Sequence, residues 1–339
     1  MRILERLDQL YAIGGGPGAN RPHPSPAEDE AHGLAAEWLR EAGLAVEVDR
    51  HGNLFGRSRE AYAVWVGSHL DTVPAGGKFD GALGVVAAIE AVEQIGAGSV
   101  VVLRGEEVGC VGSHALVGSG DPLPAAFLEL HVEQGPALAA RGAPLGVVTG
   151  IVGYARGELV FRGLAGHAGT TPMAGREDAL VRAAEAILAI RDAAAGLDGA
   201  VATVGQVTVE PGGVNVIPGS VRVSVDARAP DAETLDRLVS TVGLEPGQRT
   251  EPVAMSPRVR SALREEIASR DLPVVELASG AGHDAGVLAA AGVEAGMLFV
   301  RSLNGGVSHS PDELSSDEDV ALAIEVLTAT LRRLSARRT

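Results

Sequence analysis

Short apolar runs that alternate with helical patterns constrain this chain more than any other feature. Residues 61–66 (AYAVWV) and 99–103 (SVVVL) have the length and composition of strands buried on both faces of a sheet. An amphipathic segment, residues 27–42, precedes them, and a segment of small and apolar residues, 81–95, separates them. Strands that alternate with helices in this way predict an α/β layered domain.

The middle of the chain has a different pattern, with more strands per helix. It predicts the order β-α-β-β-α-β of a ferredoxin-like sandwich, with strands at residues 158–162, 200–209, 220–227 and 249–254 and helices at 177–192 and 231–242. After residue 256 the sequence returns to helices and apolar strands, which include LPVVELA and MLFVR. We therefore predict a discontinuous α/β domain, residues 1–153 and 256–339, with residues 154–255 inserted in it.

Charge and composition exclude several classes of function. The net charge is −16 and no Lys/Arg cluster stands out, so we expect no nucleic-acid partner. No apolar run approaches the roughly 18 residues that span a bilayer, and the first residues lack the apolar region of a signal peptide, so we expect a cytoplasmic protein without a membrane partner. The single cysteine, Cys110, rules out a disulfide framework and a thiolate zinc cluster.

Residues 67–84, GSHLDTVPAGGKFDGALG, follow the first apolar run and concentrate polar residues among glycines. His69 and Asp71 are two positions apart, so they share a face of an extended backbone. The carboxylate can then hold the imidazole, as it does beside many metal ligands. Taken alone, the pair is better explained as a polar strand end.

Further acidic and imidazole groups lie near predicted strand ends. Glu106 and Glu107 follow the strand at 99–103, where one could bind a metal while the other stays free as a base. Taken alone, the pair is better explained as a solvated acidic turn. His131 lies in LELHVEQGP and His309 in GVSHSP, both predicted just beyond strand ends, where open α/β sheets bind ligands. Each histidine alone is better explained as structural.

Taken together, these histidines and carboxylates predict a metal site, which none of them predicts alone. The imidazoles and carboxylates are nitrogen and oxygen donors without a thiolate, which suits Zn²⁺ or a neighbouring divalent ion such as Mn²⁺ or Co²⁺. Five ligands that include one bridging carboxylate are enough for a two-metal site with room for water, and the candidates are His69, Asp80, Glu107, His131 and His309.

The inserted segment contributes a separate polar group. His167 lies in LAGHAGTTPM, predicted at the end of the segment's first strand, while Asn215 lies in GGVNVIPG and Arg228 in DARAP. Arginine pairs with carboxylates through two parallel hydrogen bonds, and histidine or asparagine can polarise a carbonyl, so the three suit an anionic substrate. Turn chemistry and a surface arginine are the alternative explanation.

Seven motifs occur in order along nearly the whole chain: GSHLDTVPAGGKFDGALG, GEE, LELHVEQGP, LAGHAGTTPM, GGVNVIPG, SGAGHDA and GVSHSP. In this order they resemble the M20-type amidase/hydantoinase/carbamoylase family of metal-dependent amidohydrolases, which includes N-carbamoyl-L-amino-acid hydrolases and allantoate and ureidoglycolate amidohydrolases. The resemblance implies a zinc-peptidase-like catalytic domain and an inserted lid and dimerisation domain. It also implies a homodimer that hydrolyses the carbamoyl C–N bond of a small ureido acid.

The resemblance further implies roles for individual positions. One divalent ion would be held by His69, Asp80 and His131, and a second by Asp80, Glu107 and His309. Zn²⁺ is the first choice for both, with Mn²⁺, Co²⁺ or Ni²⁺ as alternatives. Glu106 would be the general base, and Asp71 would orient His69. The implied substrate-binding residues, some of which would reach the partner subunit's active site, are His167, Asn215, Arg228 and His283.

The sequence departs from the family between Glu107 and His131, where the family usually carries some tens more residues, including a glycine-serine-arginine turn. GSHALVGSGDPLPAA stands there instead, with His114 where arginine is common. This shortening could change the pocket, the dimer or the substrate. Three functions stay open: a carbamoyl-amino-acid or allantoate-type amidohydrolase, an M20 dipeptidase-like enzyme, and a binding protein without turnover, against which the free base Glu106 argues.

Overall fold

Strands and helices alternate through most of the chain. The computed structural model describes residues 2–59 and 63–336. Its helices are α1 (Arg2–Ala12), α2 (Pro26–Glu41), α3 (Ala82–Ile95), α4 (Val111–Gly118), α5 (Ala137–Ala140), α6 (Ala179–Ala195), α7 (Ala232–Val242), α8 (Pro257–Ala268), α9 (Asp284–Ala290) and α10 (Asp317–Ser335). None of the helices in this part of the chain is long and apolar enough to cross a membrane.

The strands complete a mixed α/β fold. They are β1 (Ala45–Val48), β2 (Leu54–Arg57), β3 (Val64–His69), β4 (Ser99–Leu103), β5 (Ala126–Val132), β6 (Leu145–Ile151), β7 (Gly153–Arg162), β8 (Gly166–His167), β9 (Val201–Glu210), β10 (Val216–Ile217), β11 (Ser220–Ala229), β12 (Gln248–Thr250), β13 (Val253–Ala254), β14 (Glu276–Ser279) and β15 (Glu294–Val300). Contacts divide the chain into two units, Met1–Gly150 with Ala254–Thr339, and Ile151–Val253.

The first unit is built on a sheet whose centre is parallel. The strand order runs β1-β2-β4-β3-β5-β15-β6-β13, and β14 pairs with β6. Within it, β4, β3, β5 and β15 are parallel neighbours. These four strands are buried almost throughout, which explains why they are continuous apolar runs in the sequence. Their carboxyl ends lie at one edge of the sheet.

Helix α3 lies directly against this sheet because one of its residues has no side chain. A Cβ atom on Gly84 would lie 2.3 Å from the carbonyl oxygen of Leu130 in β5 and 2.6 Å from the Cβ of Ser68 in β3. The fully buried Leu83 and Ile89 of α3 join the core that the sheet shares with α1, α2, α8 and α10. Burial of one such side chain contributes about 1.5–3 kcal/mol. The close contact fixes the start of α3, which follows Asp80.

The second unit has its own antiparallel sheet and its own core. Its main elements follow one another as β7-α6-β9-β11-α7-β12, and the sheet order is β12-β7-β11-β9. Alternate residues of β11, among them Val221 and Val223, pack with Ile190 of α6 and Leu235 of α7. The alternation of buried and exposed residues along β11 is typical of a sheet with one covered face. A separate short ladder joins β8 to β10.

Several predicted boundaries in the first unit were wrong. His69 is the last residue of β3 and His131 the sixth residue of β5, whereas both were predicted beyond strand ends. The reason is that the strand ladders continue through them, with His69 opposite Leu103 and His131 opposite Phe299. The strand predicted at 61–66 begins at Val64, and residues 61 and 62 lie outside the described residues.

Other corrections concern the inserted segment. The predicted strand 249–254 is two strands, β12 and β13, because Pro252 between them has no N–H to donate to a ladder. The predicted first strand, 158–162, begins at Gly153, since two glycines in GYARG mask the strand pattern. His167 lies in the separate strand β8, five residues after β7 ends at Arg162.

Candidate active site

The ends of the parallel strands bring the five predicted donors together. His69 ends β3, His131 lies near the end of β5, and Glu107 follows β4 after Gly105. Asp80 immediately precedes Gly81, which lies directly before α3 and has a positive φ of 62°. A Cβ at Gly81 would lie 2.5 Å from the imidazole of His69, so only glycine permits this approach.

The first donor set consists of His69, Asp80 and His131, all buried. The His131 Nε2 atom lies 3.2 Å from Asp80 Oδ1 and 3.5 Å from His69 Nε2. The second set consists of Asp80, Glu107 and His309. The His309 Nε2 atom lies 3.4 Å from Asp80 Oδ2 and 3.4 Å from Glu107 Oε2. Asp80 therefore offers one carboxylate oxygen to each set.

The donor chemistry of the first set fits a cation. The Nδ1 atoms of His69 and His131 lie 3.1 and 3.0 Å from the backbone carbonyl oxygens of Asp71 and Val132. A carbonyl can only accept, so each Nδ1 carries a proton, and Nε2 is the ring nitrogen left to bind an ion once one is present. Two such nitrogens and a carboxylate of Asp80 then converge. A divalent ion satisfies all three, and nitrogen and oxygen ligands suit Zn²⁺ and its neighbours.

The pKa values of these residues show that the pocket carries an excess of negative charge. Burial alone would lower the pKa of His131, but the Asp80 carboxylate beside it raises that pKa to about 9. Burial likewise opposes the charge on His69, while Glu106 and Asp71 raise the pKa of His69 well above its ordinary value. Burial would raise the pKa of Asp80, but the surrounding histidines hold it far below its ordinary range. The pocket thus favours bound positive charge.

The second set contains a carboxylate oxygen that makes no hydrogen bond among the described residues. Glu107 Oε1 is buried and has no hydrogen-bond partner among the described residues, so this carboxylate has an acceptor left for an ion. His309 is the exposed member, with 48% of its side chain accessible, on the loop after β15. The residues of both sets therefore fit two divalent ions that share Asp80.

Asp71 connects the first histidine with the acidic pair. Its Oδ1 accepts a hydrogen bond from the Glu106 backbone N–H at 3.1 Å, and its Oδ2 accepts one from the Glu107 N–H at 3.0 Å. The same Oδ1 lies 3.4 Å from His69 Nδ1. One buried carboxylate therefore positions a donor of each set.

Glu106 lies beside both sets without belonging to either. Its Oε2 is 3.9 Å from His69 Nε2, and its Oε1 is 3.6 Å from His283 Nδ1. Burial raises the pKa of Glu106 well above its ordinary value. His283 Nδ1 is itself buried without a hydrogen-bond partner among the described residues, while its Nε2 lies 2.9 Å from Ser279 Oγ. A carboxyl with a raised pKa next to an unused imidazole nitrogen suits proton transfer.

The other predicted substrate-binding residues lie in the second unit, where two of them are neighbours. Val216 is opposite His167 in the β8–β10 ladder, and the Asn215 carbonyl oxygen accepts from the Ala168 N–H at 2.9 Å. The exposed His167 ring accepts from the N–H of Gly169 at 3.0 Å through Nδ1, so its Nε2 faces outward from this turn. The structure thus joins His167 with Asn215.

Arg228 lies on a different strand of the same unit. It is half-buried on β11 and donates from Nε to Asp226 Oδ1 at 2.9 Å and from Nη2 to Asp226 Oδ2 at 3.2 Å. These hydrogen bonds raise the pKa of Arg228 and help to hold that of Asp226 low against the effect of burial. The arginine that was predicted to bind a carboxylate already binds one within its own strand.

Comparison with known proteins identifies the family of this chain. A model of peptidase family M20/M25/M40 matches residues 65–333. The chain belongs to this family. The N-carbamoyl-L-amino acid amidohydrolase of Geobacillus stearothermophilus is 36% identical over 98% of both chains. The allantoate amidohydrolase of Bacillus subtilis (strain 168) is 32% identical over 86% of this chain and 87% of that protein. An amidase of the hydantoinase/carbamoylase family from Burkholderia multivorans superposes with a TM-score of 0.91 and 30% identity, over 100% of this chain and 98% of that one.

This M20 chain is shorter than its relatives. The alignment with the Geobacillus enzyme spans 403 positions against 339 residues here, so at least 64 positions have no counterpart in this chain. The segment after Glu107, which the sequence analysis described as shortened, contains a regular helix. Residues 111–118 form α4, which packs against α9. Ser113 of α4 donates to Asp284 Oδ1 at 2.6 Å. His114 of α4 is exposed and belongs to neither donor set.

Two buried carboxylates of this M20 site escaped the sequence analysis. Glu129 accepts from Ser68 Oγ at 2.8 Å and from the Ala285 N–H at 3.0 Å, which ties β5 to β3 and α9. Glu313 accepts from the backbone at Phe79 and Asp80. An available signal for Glu129 was its charge inside an apolar strand, two residues before His131 and hence on the same face. Glu313 follows GVSHSP within one loop, and its sequence alone gives no partner.

Proposed function

We propose that this chain is a divalent-metal-dependent amidohydrolase that hydrolyses the carbamoyl C–N bond of N-carbamoyl-L-amino acids. The observation that supports this most is the pair of donor sets that share Asp80, beside a largely buried Glu106 that belongs to neither set. A protein that only binds a small molecule has no use for that uncommitted base. The 36% identity to an enzyme named for carbamoyl amino acids supports the substrate class.

In this proposal each donor set binds one divalent ion. His69, Asp80 and His131 hold one ion and Asp80, Glu107 and His309 the other, with Zn²⁺ first and Mn²⁺, Co²⁺ or Ni²⁺ as alternatives. Divalent ions bound there supply Lewis-acid activation of water and of the substrate carbonyl.

The protein's own groups carry the protons. Glu106 removes a proton from the attacking water, and its raised pKa lets it return that proton to the leaving nitrogen. His283, 3.6 Å from Glu106, orients that carboxyl or the substrate. Water cleaves the C–N bond, and the products are the amino acid, carbon dioxide and ammonia.

We further propose that the second unit is a lid and dimerisation domain of residues 154–255, inserted in a catalytic domain of residues 1–153 and 256–339. Arg228 then exchanges Asp226 for the substrate carboxylate, while His167 and Asn215 bind its carbonyl group. The exposed apolar side chains Leu180, Val181 and Leu188 of α6 support a second copy of this chain as the partner. Sedimentation of the intact protein would show a dimer, and a monomer at all concentrations would refute this part.

Allantoate is the second candidate substrate, because the relative from Bacillus subtilis that acts on it is 32% identical. Ureidoglycolate and dipeptides are the remaining substrates to be tested. Ammonia release should be measured with N-carbamoyl amino acids, allantoate and ureidoglycolate, and amine release with dipeptides, each after loading with Zn²⁺ or Mn²⁺. We expect the highest kcat/KM with a carbamoyl amino acid. A higher kcat/KM with allantoate would make allantoate the substrate in place of a carbamoyl amino acid. No turnover of any compound on the panel would favour a binding protein.

A further inference from the structure

The loop that carries His309 needs a restraint to keep its imidazole near the site. Asn304 and His309 both have a φ of 53°, in the left-handed region that side chains other than glycine rarely adopt. The His309 side chain is also 48% exposed, so apart from its contacts with Asp80 and Glu107 little packing holds it in place. Something else must fix the distance between this loop and Asp80.

Glu313 makes the contacts that provide this restraint. Its side chain is buried, with 4% of the residue exposed. Oε1 accepts hydrogen bonds from the Phe79 N–H at 2.8 Å and the Asp80 N–H at 3.0 Å, and Oε2 accepts from Ser308 Oγ at 2.8 Å. One carboxylate therefore joins the backbone of the shared ligand Asp80 to the residue next to His309.

The loop that leads to Phe79 and Asp80 has space for this carboxylate because residue 77 is a glycine. A Cβ atom at Gly77 would lie 2.1 Å from Glu313 Cδ and 2.2 Å from its Oε1. No shift of a flexible side-chain tip relieves that overlap, because the carboxylate is held by three hydrogen bonds. One of the glycines in residues 67–84 thus serves Glu313 rather than an ion.

We propose that Glu313 is a positioning residue that sets the separation of Asp80 and His309, and thereby the affinity of the second donor set for its ion. The proposal rests on the metal-dependent function proposed above. Groups that orient metal ligands in this way typically change metal affinity about 10–100-fold when they are removed. Gln134 Nε2 also reaches Asp80 Oδ2 and Ser308 Oγ, both at 3.2 Å, but these two hydrogen bonds end on side chains rather than on the backbone of either loop.

The carboxylate geometry allows a rescue variant. In Glu313→Gln the side-chain oxygen can still accept both backbone N–H groups, and the amide can donate to Ser308 Oγ, which becomes the acceptor. Glu313→Ala leaves two buried N–H groups without a partner. Ser308→Ala removes the hydrogen bond that links Glu313 to the His309 loop, together with the one from Gln134 Nε2 to Ser308 Oγ. Asp312→Ala changes an exposed acid in the same loop and is the matched control.

The test is equilibrium dialysis of each full-length variant against graded free Zn²⁺, with bound metal counted per chain and folding checked by thermal unfolding in saturating metal. The wild type should bind two ions, and His309→Ala marks the loss of the second. We expect Glu313→Ala to weaken the second ion roughly 10–100-fold. Ser308→Ala should shift the same ion in the same direction, and Glu313→Gln and Asp312→Ala should match the wild type.

Three results would overturn the inference: a Glu313→Ala protein with both affinities unchanged, a Glu313→Gln protein as weak as Glu313→Ala, or a wild type that binds fewer than two ions. Because the readout is bound metal, a wild type that binds two ions yet turns over no substrate would refute the proposed function and not this one.

Discussion

Among single residues, Asp71 shows how this site depends on groups that touch neither substrate nor ion. Its carboxylate accepts from two consecutive backbone N–H groups and faces His69. The sequence predicted the support of His69, since the two residues share a face. It could not predict the bonds to Glu106 and Glu107, because those depend on how two loops distant in sequence fold against each other. The same limit explains why Glu313 was missed.

Removal of the base should separate chemistry from metal binding. Glu106→Gln is expected to lower kcat at least 100-fold, since a positioned general base typically contributes about 10²–10⁴-fold. Both ions should remain, because Glu106 belongs to neither donor set. The adjacent Glu107→Gln is the contrast and should lose affinity for one ion. A Glu106→Gln enzyme with wild-type turnover would remove Glu106 from the mechanism.

Loss of Asp71 should affect both ions. Asp71→Ala leaves the N–H groups of Glu106 and Glu107 unpaired and removes the carboxylate that faces His69, so we expect metal affinity to fall about 10–100-fold. The unpaired groups should also lower the free energy of unfolding by about 1–3 kcal/mol each where they stay dry. Metal titration and denaturant unfolding of the same preparation measure the two effects. Unchanged affinity would show that His69 and Glu107 are positioned by other contacts.

At the scale of helices and strands, periodicity predicted the elements that have one strong pattern. Strand β4 and helices α2, α3 and α10 lie close to their predicted ranges, β3 and β15 overlap theirs, and no range was predicted for β5. Strands β2 and β6 were not recognised as strands, because GNLFGR and LGVVTGI contain glycines and little alternation. Where a strand ends is set by its neighbours in the ladder, as at His69, and a single sequence does not contain that information.

Two glycines in helices offer a matched pair of substitutions. At Gly84 a new methyl group meets the Leu130 carbonyl at 2.3 Å, so Gly84→Ala should push α3 off the sheet and cost about 1–3 kcal/mol. At Gly33 in α2 nothing lies within 4 Å, so Gly33→Ala should stabilise the protein by up to about 1 kcal/mol through helix propensity. Denaturant midpoints compare the two, and an equal effect of both would contradict the close packing of α3.

Helix α2 also makes stability depend on pH. His32 is buried, both ring nitrogens lack partners among the described residues, and burial lowers its pKa from 6.5 to about 3. The folded state therefore resists a proton that the unfolded chain accepts below pH 6.5. Stability from this group is complete above pH 6.5 and falls by up to about 1.4 kcal/mol per pH unit on acidification toward pH 3.

His32→Leu should reduce that slope. The measurement is the free energy of unfolding between pH 7.5 and 5.5 in excess chelator, so that release of metal does not contribute. His114→Gln, which replaces an exposed histidine, should keep the wild-type slope. If His32→Leu keeps it as well, His32 is not the group that titrates.

For the whole molecule, metal removal should act on one unit only. All five donors lie in the unit formed by Met1–Gly150 and Ala254–Thr339, where buried carboxylates need a cation. An ion at about 100 times its dissociation constant adds about 2.7 kcal/mol of stability. Calorimetry with and without chelator should shift the transition of this unit downward and leave that of Ile151–Val253 in place. Equal shifts of both would show that the two units unfold together.

The strand pairing inside the second unit has a consequence for how such chains change. Tyr154 at the start of that unit pairs with Thr250 near its end, so the two covalent connections leave it side by side. A module whose entry and exit are adjacent can be cut out or replaced without stretching the host chain. Exchange of residues 151–253 for the same module of a relative is thus expected to give a folded hybrid chain, in which the proposed substrate contacts of this unit are replaced together.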